Sequence, residues 1–227
     1  FALTNLDINV HDVSLAQPFP FEVKAQLHDR IQPAKIAFQG KIIPPNRQPG
    51  WLRYGVDSNF QINSLSLAQF APILASRQLG GRLDITGNFS GRAGGPLSSS
   101  VRVKFFSLDL DDPRLFQQPI HWPDGQLSFN IKYVNKELAL EDILFITGGY
   151  SLKGFCRVEN QELHALFNSE SPLQITSIKG YLPQRIFPKP IYKYIQERML
   201  RGRVDKLSLE IKKRLNEITD KKNLITA

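Results

Sequence analysis

Apolar and polar residues alternate with a period of two through most of this 227-residue chain. A period of two places successive side chains on opposite sides of an extended strand, so each run predicts a strand with one apolar and one polar face. Short segments rich in Gly, Pro, Asn and Asp separate the runs, which favours antiparallel pairing of about a dozen strands. The clearest runs are "FEVKAQL" (21–27), "KIAFQGKI" (35–42), "GRLDITGNFSG" (81–91), "VRVKFF" (101–106), "GQLSFNIKYV" (125–134), "YSLKGFCRV" (150–158) and "LSLEIK" (207–212).

Helices are too few to cover so many apolar strand faces. The sequence predicts only two short helices, near 66–78 and 188–200. The apolar faces must therefore pack on each other in a sandwich or barrel, or contact something other than protein. We predict a mainly β fold in which antiparallel strands curl into an apolar-lined groove or half-barrel.

Two segments of the chain, 60–91 and 173–211, resemble copies of one strand–helix–strand module. In each segment a Gly-Arg-(Leu/Val)-Asp tetrad follows the predicted helix, at 81–84 and at 202–205. Glycine is a common helix stop because it adopts positive φ without a Cβ clash. We predict one β segment over 1–212 that contains both copies, followed by a polar, basic tail over 213–227.

The net charge of +8 arises entirely from the last fifth of the chain. Residues 179–227 hold 13 Lys/Arg and 5 Asp/Glu, whereas residues 1–178 hold 16 of each. We predict that the helix at 188–200 seals one end or edge of the apolar surface with Ile191, Ile195 and Met199. Its cations would face solvent or anionic lipid headgroups: Lys189, Lys193, Arg198 and Arg201. Nucleic-acid recognition is disfavoured, because the chain has no recognition-helix, RNP or zinc-finger motif.

No catalytic constellation is recognisable in the sequence. The four histidines do not fall at metal-ligand spacing, and the single cysteine, Cys156, lies in a strand where a buried, inert thiol is expected. Asp109, Asp111 and Asp112 lack the Gly and distal Glu of a calcium loop. We therefore expect neither enzymatic activity nor a metal or other cofactor.

The segment "SIKGYLPQRIFPKPIYKYIQERMLRGRVDKLSLEIK" (177–212) resembles part of the AsmA-like bacterial envelope proteins, especially the YhdP type. The stretches "SLSLAQFAPIL…GGRLDITGNFSG", "VRVKFFSLDL" and "DGQLSFN…LALEDILFITGGYSLKGFCRVE" are similar to the same family, so the resemblance covers most of 20–212. The basic helix departs from the usual pattern, and the tail matches nothing in it.

This resemblance implies a segment of a periplasm-spanning protein that carries phospholipids for the outer membrane. Acyl chains would lie in a hydrophobic β-groove, and the inner-membrane anchor would lie outside these 227 residues. Other envelope proteins would be candidate partners, and nucleic acid would not. From the alternation, the residues expected to line the groove are Val101, Val103, Phe105, Leu127, Phe129, Ile131, Leu152 and Val158.

Two other classes of function stay open at this point. One is a structural or scaffolding β domain of the envelope, whose apolar faces pack into a dry core and bind nothing. The other is a module that binds carbohydrate or nucleic acid through the basic end, whose binding would be lost at high salt.

Overall fold

The computed structural model describes residues 2–28, 33–45, 54–71, 78–92, 94–113, 116, 119–178, 189–198 and 201–214. Eleven strands form one antiparallel sheet in which each of the first nine pairs with the next along the chain, and the tenth pairs with the last. They are β1 (Leu3–Val10), β2 (Phe19–Leu27), β3 (Ala34–Ile43), β4 (Gly55–Ser66), β5 (Gln78–Arg92), β6 (Leu97–Asp111), β7 (Ile120–Val134), β8 (Glu137–Thr147), β9 (Tyr150–Glu159), β10 (Glu162–Ser169) and β13 (Ser208–Arg214).

Among the described strands the sheet is not closed, and β1 and β13 form its two edges. The prediction of a mainly β, antiparallel fold is confirmed. Strand β13 continues to Arg214, so the first two residues assigned to the tail belong to the sheet, and 215–227 lie outside the described residues. A separate two-stranded sheet joins β11 (Leu173–Gln174) to β12 (Arg203–Val204).

The prediction of two short helices in repeated modules is wrong. In the first segment the described residues hold a single 3-10 turn, Leu67–Phe70, which the Ala71 N–H closes on the Ala68 carbonyl. Residues 72–77 of the predicted helix lie outside the described part.

Only the second segment holds a described helix longer than about one turn. Helix α1 (Ile175–Ile178) is a single turn, and α2 (Lys189–Glu197) has 9 residues. None of the described helices is long and apolar enough to cross a bilayer.

The two Gly-Arg-x-Asp tetrads nevertheless occupy matching positions. Leu65 pairs with Leu83 and Leu173 with Val204, so each tetrad pairs with the residues just before a helical turn. The tetrad glycines, Gly81 and Gly202, both have positive φ, at 102° and 146°. The first pairing belongs to the large sheet and the second to the small one, so the two copies share local pairing and not their place in the fold.

Four bulges keep the apolar side chains of irregular strands on one face. The register shifts beside Asn5, Ser64, Ser107 and Asp142, each of which has φ between 50° and 60°. An extra residue reverses the alternation, so Leu140 and Ile143 face the same side although three positions separate them. Side chains fix two bulges: Asp84 Oδ1 accepts from the Ser64 N–H at 2.8 Å, and Asn130 Nδ2 donates to Asp142 Oδ2 at 2.9 Å.

Phenylalanine rings lie over glycines of the neighbouring strand. A Cβ added at Gly87 would lie 2.6 Å from Phe60 Cζ, and one at Gly154 would lie 2.7 Å from Phe167 Cδ1. A Cβ at Gly125 would overlap the Phe105 ring. The absence of a side chain at these glycines lets each ring lie flat on the adjacent backbone.

Replacing Gly87 with alanine should destabilise the sheet by roughly 1–3 kcal/mol, because the new methyl group overpacks against Phe60 and the Ser100 carbonyl. Gly95→Ala is the matched control, since its Cβ would approach no atom closer than 3.4 Å. Urea unfolding of both variants measures the difference. Equal midpoints would show that the ring does not need the glycine.

Candidate apolar binding face

One face of the large sheet is apolar from edge to edge. Because partners across an antiparallel pair point to the same side, the register joins side chains of successive strands into rows. The longest unbroken apolar row crosses β2 to β9, about 34 Å at roughly 4.8 Å per strand. This central row consists of Ala25, Ile36, Ile62, Ile85, Val103, Leu127, Phe145 and Leu152.

All eight residues expected to line a groove lie on this apolar face. Val103, Leu127 and Leu152 belong to the central row. The other five occupy parallel rows on either side: Val101 pairs with Phe129, Phe105 with Gly125, Ile131 with Leu140, and Val158 with Leu138. The register therefore brings them into one surface, and lipid contact by that surface stays a prediction.

Most of this face remains partly open to solvent. Of the eight residues only Phe105 is buried, with 4% of its surface exposed, and the other seven are intermediate. Strands of the described part make their extensive contacts with sheet neighbours alone, and no second layer packs on the face there. A sandwich with a dry core would need such a layer.

Burial is concentrated near one end of the strands. Trp122 lies between Phe105 and Phe145, with ring centroids 6.3 and 5.6 Å away, and the two Phe rings stack at 5.8 Å. Ile120, the first residue of β7, is only 1% exposed. The long connections 67–77, 112–119 and 170–207 leave the sheet at this end, which we call the loop end.

The opposite end of the same strands is open, and we call it the turn end. Here β7–β8 and β9–β10 are joined by two-residue turns, Asn135-Lys136 and Asn160-Gln161, in which all four residues have positive φ. Such tight turns add no side chains over the face, and Tyr133 and Leu138, the apolar-face residues beside the first turn, are exposed. Along β7 to β10, the described residues thus cover the apolar face at the loop end and leave it open at the turn end.

Helix α2 belongs to a connection at the loop end, and its buried residue is not one that the sequence indicated. Tyr192 is 8% exposed, and this burial raises the pKa of its hydroxyl while a hydrogen bond with Gln196 opposes the shift. Ile195 is half-buried, whereas the Ile191 side chain and Met199 lie outside the described residues. Ile195 and Gln196 follow Tyr192 by three and four residues, which places all three on one side of a helix. This spacing could have indicated which side of α2 is buried.

The cations expected to face solvent or headgroups are all exposed: Lys189, Lys193, Arg198 and Arg201. Lys193 lies 4.0 Å from Glu197, and the other three form no ion pair with a described residue. On the polar face of the sheet, by contrast, one carboxylate joins two cations. Glu141 binds Lys132 at 2.6 Å and Arg157 at 3.1 Å, and the Lys132 hydrogen bond lowers the pKa of Glu141.

The described residues offer little chemistry beyond these contacts. No three His, Cys, Asp or Glu among them are grouped to hold a metal ion. The sequence reasoning missed two cross-strand histidine–carboxylate pairs, all four side chains exposed. His121 Nδ1 lies 2.6 Å from Asp109 Oδ1 across β6 and β7, and His164 Nε2 lies 3.1 Å from Glu210 Oε1 across β10 and β13. Their cross-strand register could not be read from alternation alone.

No protein-family model, no curated protein and no solved structure matches this chain.

The reactivity of Cys156 measures the exposure of the apolar face without any mutation. Cys156 is the only cysteine of the chain, and it pairs on that face with Leu140 and Ala165. Burial raises the pKa of its thiol, so less of the reactive thiolate exists at pH 8. The control is Ser98→Cys in a Cys156→Ser background, which places the single thiol on the polar face. Alkylation of Cys156 in the parent should be several-fold slower than alkylation of this control thiol. As pH rises the control should reach its plateau first. Equal rates at pH 8 would contradict the partial burial of Cys156.

Proposed function

We propose that this chain is a segment of a lipid transport protein whose apolar face shields phospholipid acyl chains. One observation carries the proposal: the apolar face spans the sheet, and the described residues do not cover it. Large apolar patches left open on a soluble protein are typically interaction sites. The resemblance to AsmA-like proteins of the YhdP type supplies the class of ligand.

The physical basis of binding is removal of acyl chains from water. Each CH₂ group buried contributes about 0.8 kcal/mol, so a tail lying along the central row would gain several kcal/mol without a polar contact. The row is continuous over eight strands, which supports contact along a whole tail. No residue acts on the lipid chemically, and the proposed activity requires neither catalysis nor a cofactor.

The apolar surface is proposed to be a groove formed by curling of the open sheet. Strand twist and the bulges at Asn5, Ser64 and Asp142 support this shape, because bulges increase local twist and bend the bulged strand. The same proposal places the segment in the periplasm, within a protein anchored in the inner membrane, where it serves outer-membrane lipid homeostasis beside other envelope proteins.

Helix α2 is proposed to cover the loop end of the groove and to contact anionic headgroups. The location of its connection at that end and the burial of Tyr192 support the first role. The exposure of Lys189, Arg198 and Arg201 without described ion-pair partners supports the second. The alternative function, a scaffolding domain with a dry core, has less support because the described strands form a single layer.

The variant Phe129→Asp tests the apolar face. A carboxylate in the row beside Val101 would have to lose water when a tail binds, so the variant should retain much less co-purified phospholipid than the parent. Arg102→Asp is the control, because it introduces the same charge on the polar face of the adjacent strand. Mass spectrometry of extracted lipid gives the readout, and circular dichroism selects folded variants.

If folded Phe129→Asp retained as much lipid as the parent, the apolar face would not be the lipid site. If the parent itself carried and bound no lipid, the scaffolding alternative would replace the proposal.

Replacing Lys189, Lys193 and Arg201 together with Gln tests the headgroup role. At about 1 kcal/mol per cation, binding to vesicles containing phosphatidylglycerol should weaken of the order of 100-fold at low salt. The difference should shrink as salt shortens the screening length. The control replaces Lys41, Arg102 and Lys104, three exposed cations of the polar face.

Vesicle co-sedimentation measures both triple variants against the parent. Unchanged binding by the helix variant, or an equal loss in the control, would restrict α2 to covering the groove.

A further inference from the structure

Strand β1 presents an open hydrogen-bonding edge. Among the described residues only β2 pairs with it. The His11 N–H donates to the Pro20 carbonyl at 3.2 Å, and in an antiparallel pair the inward and outward backbone groups alternate. The N–H and C=O groups of Leu6, Ile8 and Val10 therefore point away from β2, toward the space where another strand would lie.

The side chains of the same three residues are exposed although they are apolar. Leu6, Ile8 and Val10 have 55%, 59% and 43% of their surface exposed. Strand β1 contains no Lys, Arg or Pro, the residues that commonly protect an edge strand from pairing, and the bulge at Asn5 disturbs only its beginning. This edge is suited to accept a strand.

The other edge of the sheet lacks this property. Strand β13 carries Lys212, Lys213 and Arg214, and Glu210 is paired with Lys212 at 2.7 Å. Two β13 edges brought together would place these cations side by side. In β1 the only charged residue is Asp7, so two copies of this edge can approach at little electrostatic cost.

We propose that β1 pairs antiparallel with β1 of a second copy of this chain, in a register centred on Ile8. Ile8 then lies opposite Ile8 of the second copy, Leu6 opposite Val10, and Asp7 opposite Asn9. Sliding one strand by two residues in one direction would instead place the two Asp7 carboxylates opposite each other, which disfavours that register. The register centred on Ile8 thus pairs apolar residues with each other and Asp7 with an uncharged residue.

This arrangement has a two-fold axis perpendicular to the sheet. The axis keeps both apolar faces on the same side, so the dimer would extend them into one surface. Because only one short strand from each copy forms the interface, the association is weak and depends on protein concentration. Edge pairing needs no bound lipid, so it stands or fails independently of the proposed transport function.

Disulfide cross-linking of the full chain in a Cys156→Ser background tests the register. Ile8→Cys should form a covalent dimer under mild oxidation, because the two residues 8 face each other. Leu6→Cys alone should not, since its counterpart lies about four residues away along the strand, roughly 13 Å. Mixing Leu6→Cys with Val10→Cys should restore the cross-link between the two proteins.

Sedimentation equilibrium gives a second measurement without cysteines. Ile8→Lys should weaken self-association at least tenfold, while Leu138→Lys, an exposed apolar site of the same face at the turn end, should leave it unchanged. A parent that is monomeric at every concentration, or cross-linking of Leu6→Cys as fast as Ile8→Cys, would overturn the proposal. Self-association that Ile8→Lys leaves intact would assign the contact to another surface and overturn it as well.

Discussion

Cross-strand register is the constraint on which the rest of this structure depends. An isolated strand with alternating residues has an apolar side, but only in-register pairing aligns those sides into a surface. From β2 to β9 each central-row residue pairs with the next, and the bulges at Ser64 and Asp142 restore the alignment where the sequence would break it. A slip of one residue in any strand would place polar side chains in the row.

A single-layer sheet carries an energetic cost that a sandwich does not. Half-buried Val101, Leu127 and Phe129 keep contact with water that a second layer would remove. Long strands offset part of this cost through backbone pairing, and β5, β6 and β7 each extend over 15 residues. Stability thus rests on neighbouring strands, and the apolar face remains free for another molecule.

The sequence was sufficient for the fold class and for the faces of regular strands. Alternation assigned Val103 and Leu127 correctly to one side because β6 and β7 are regular there. It could not locate the bulge at Asp142, which depends on the Asn130 side chain from the neighbouring strand. It also missed Tyr192, since two isoleucines suggested a different apolar stripe, and tertiary packing selects which side of a short helix is buried.

The phenylalanine–glycine pairs have a consequence for movement across the sheet. Phe60 and Gly87 join β4 to β5, Phe105 and Gly125 join β6 to β7, and Phe167 and Gly154 join β10 to β9. Pairs of this kind therefore recur across the apolar face at intervals of two and three strands, roughly 10 and 14 Å. A flexible apolar guest displaced by such an interval would meet a similar combination of ring and gap. Successive positions would then have similar energies, a condition for diffusion in small steps with no single deep trap.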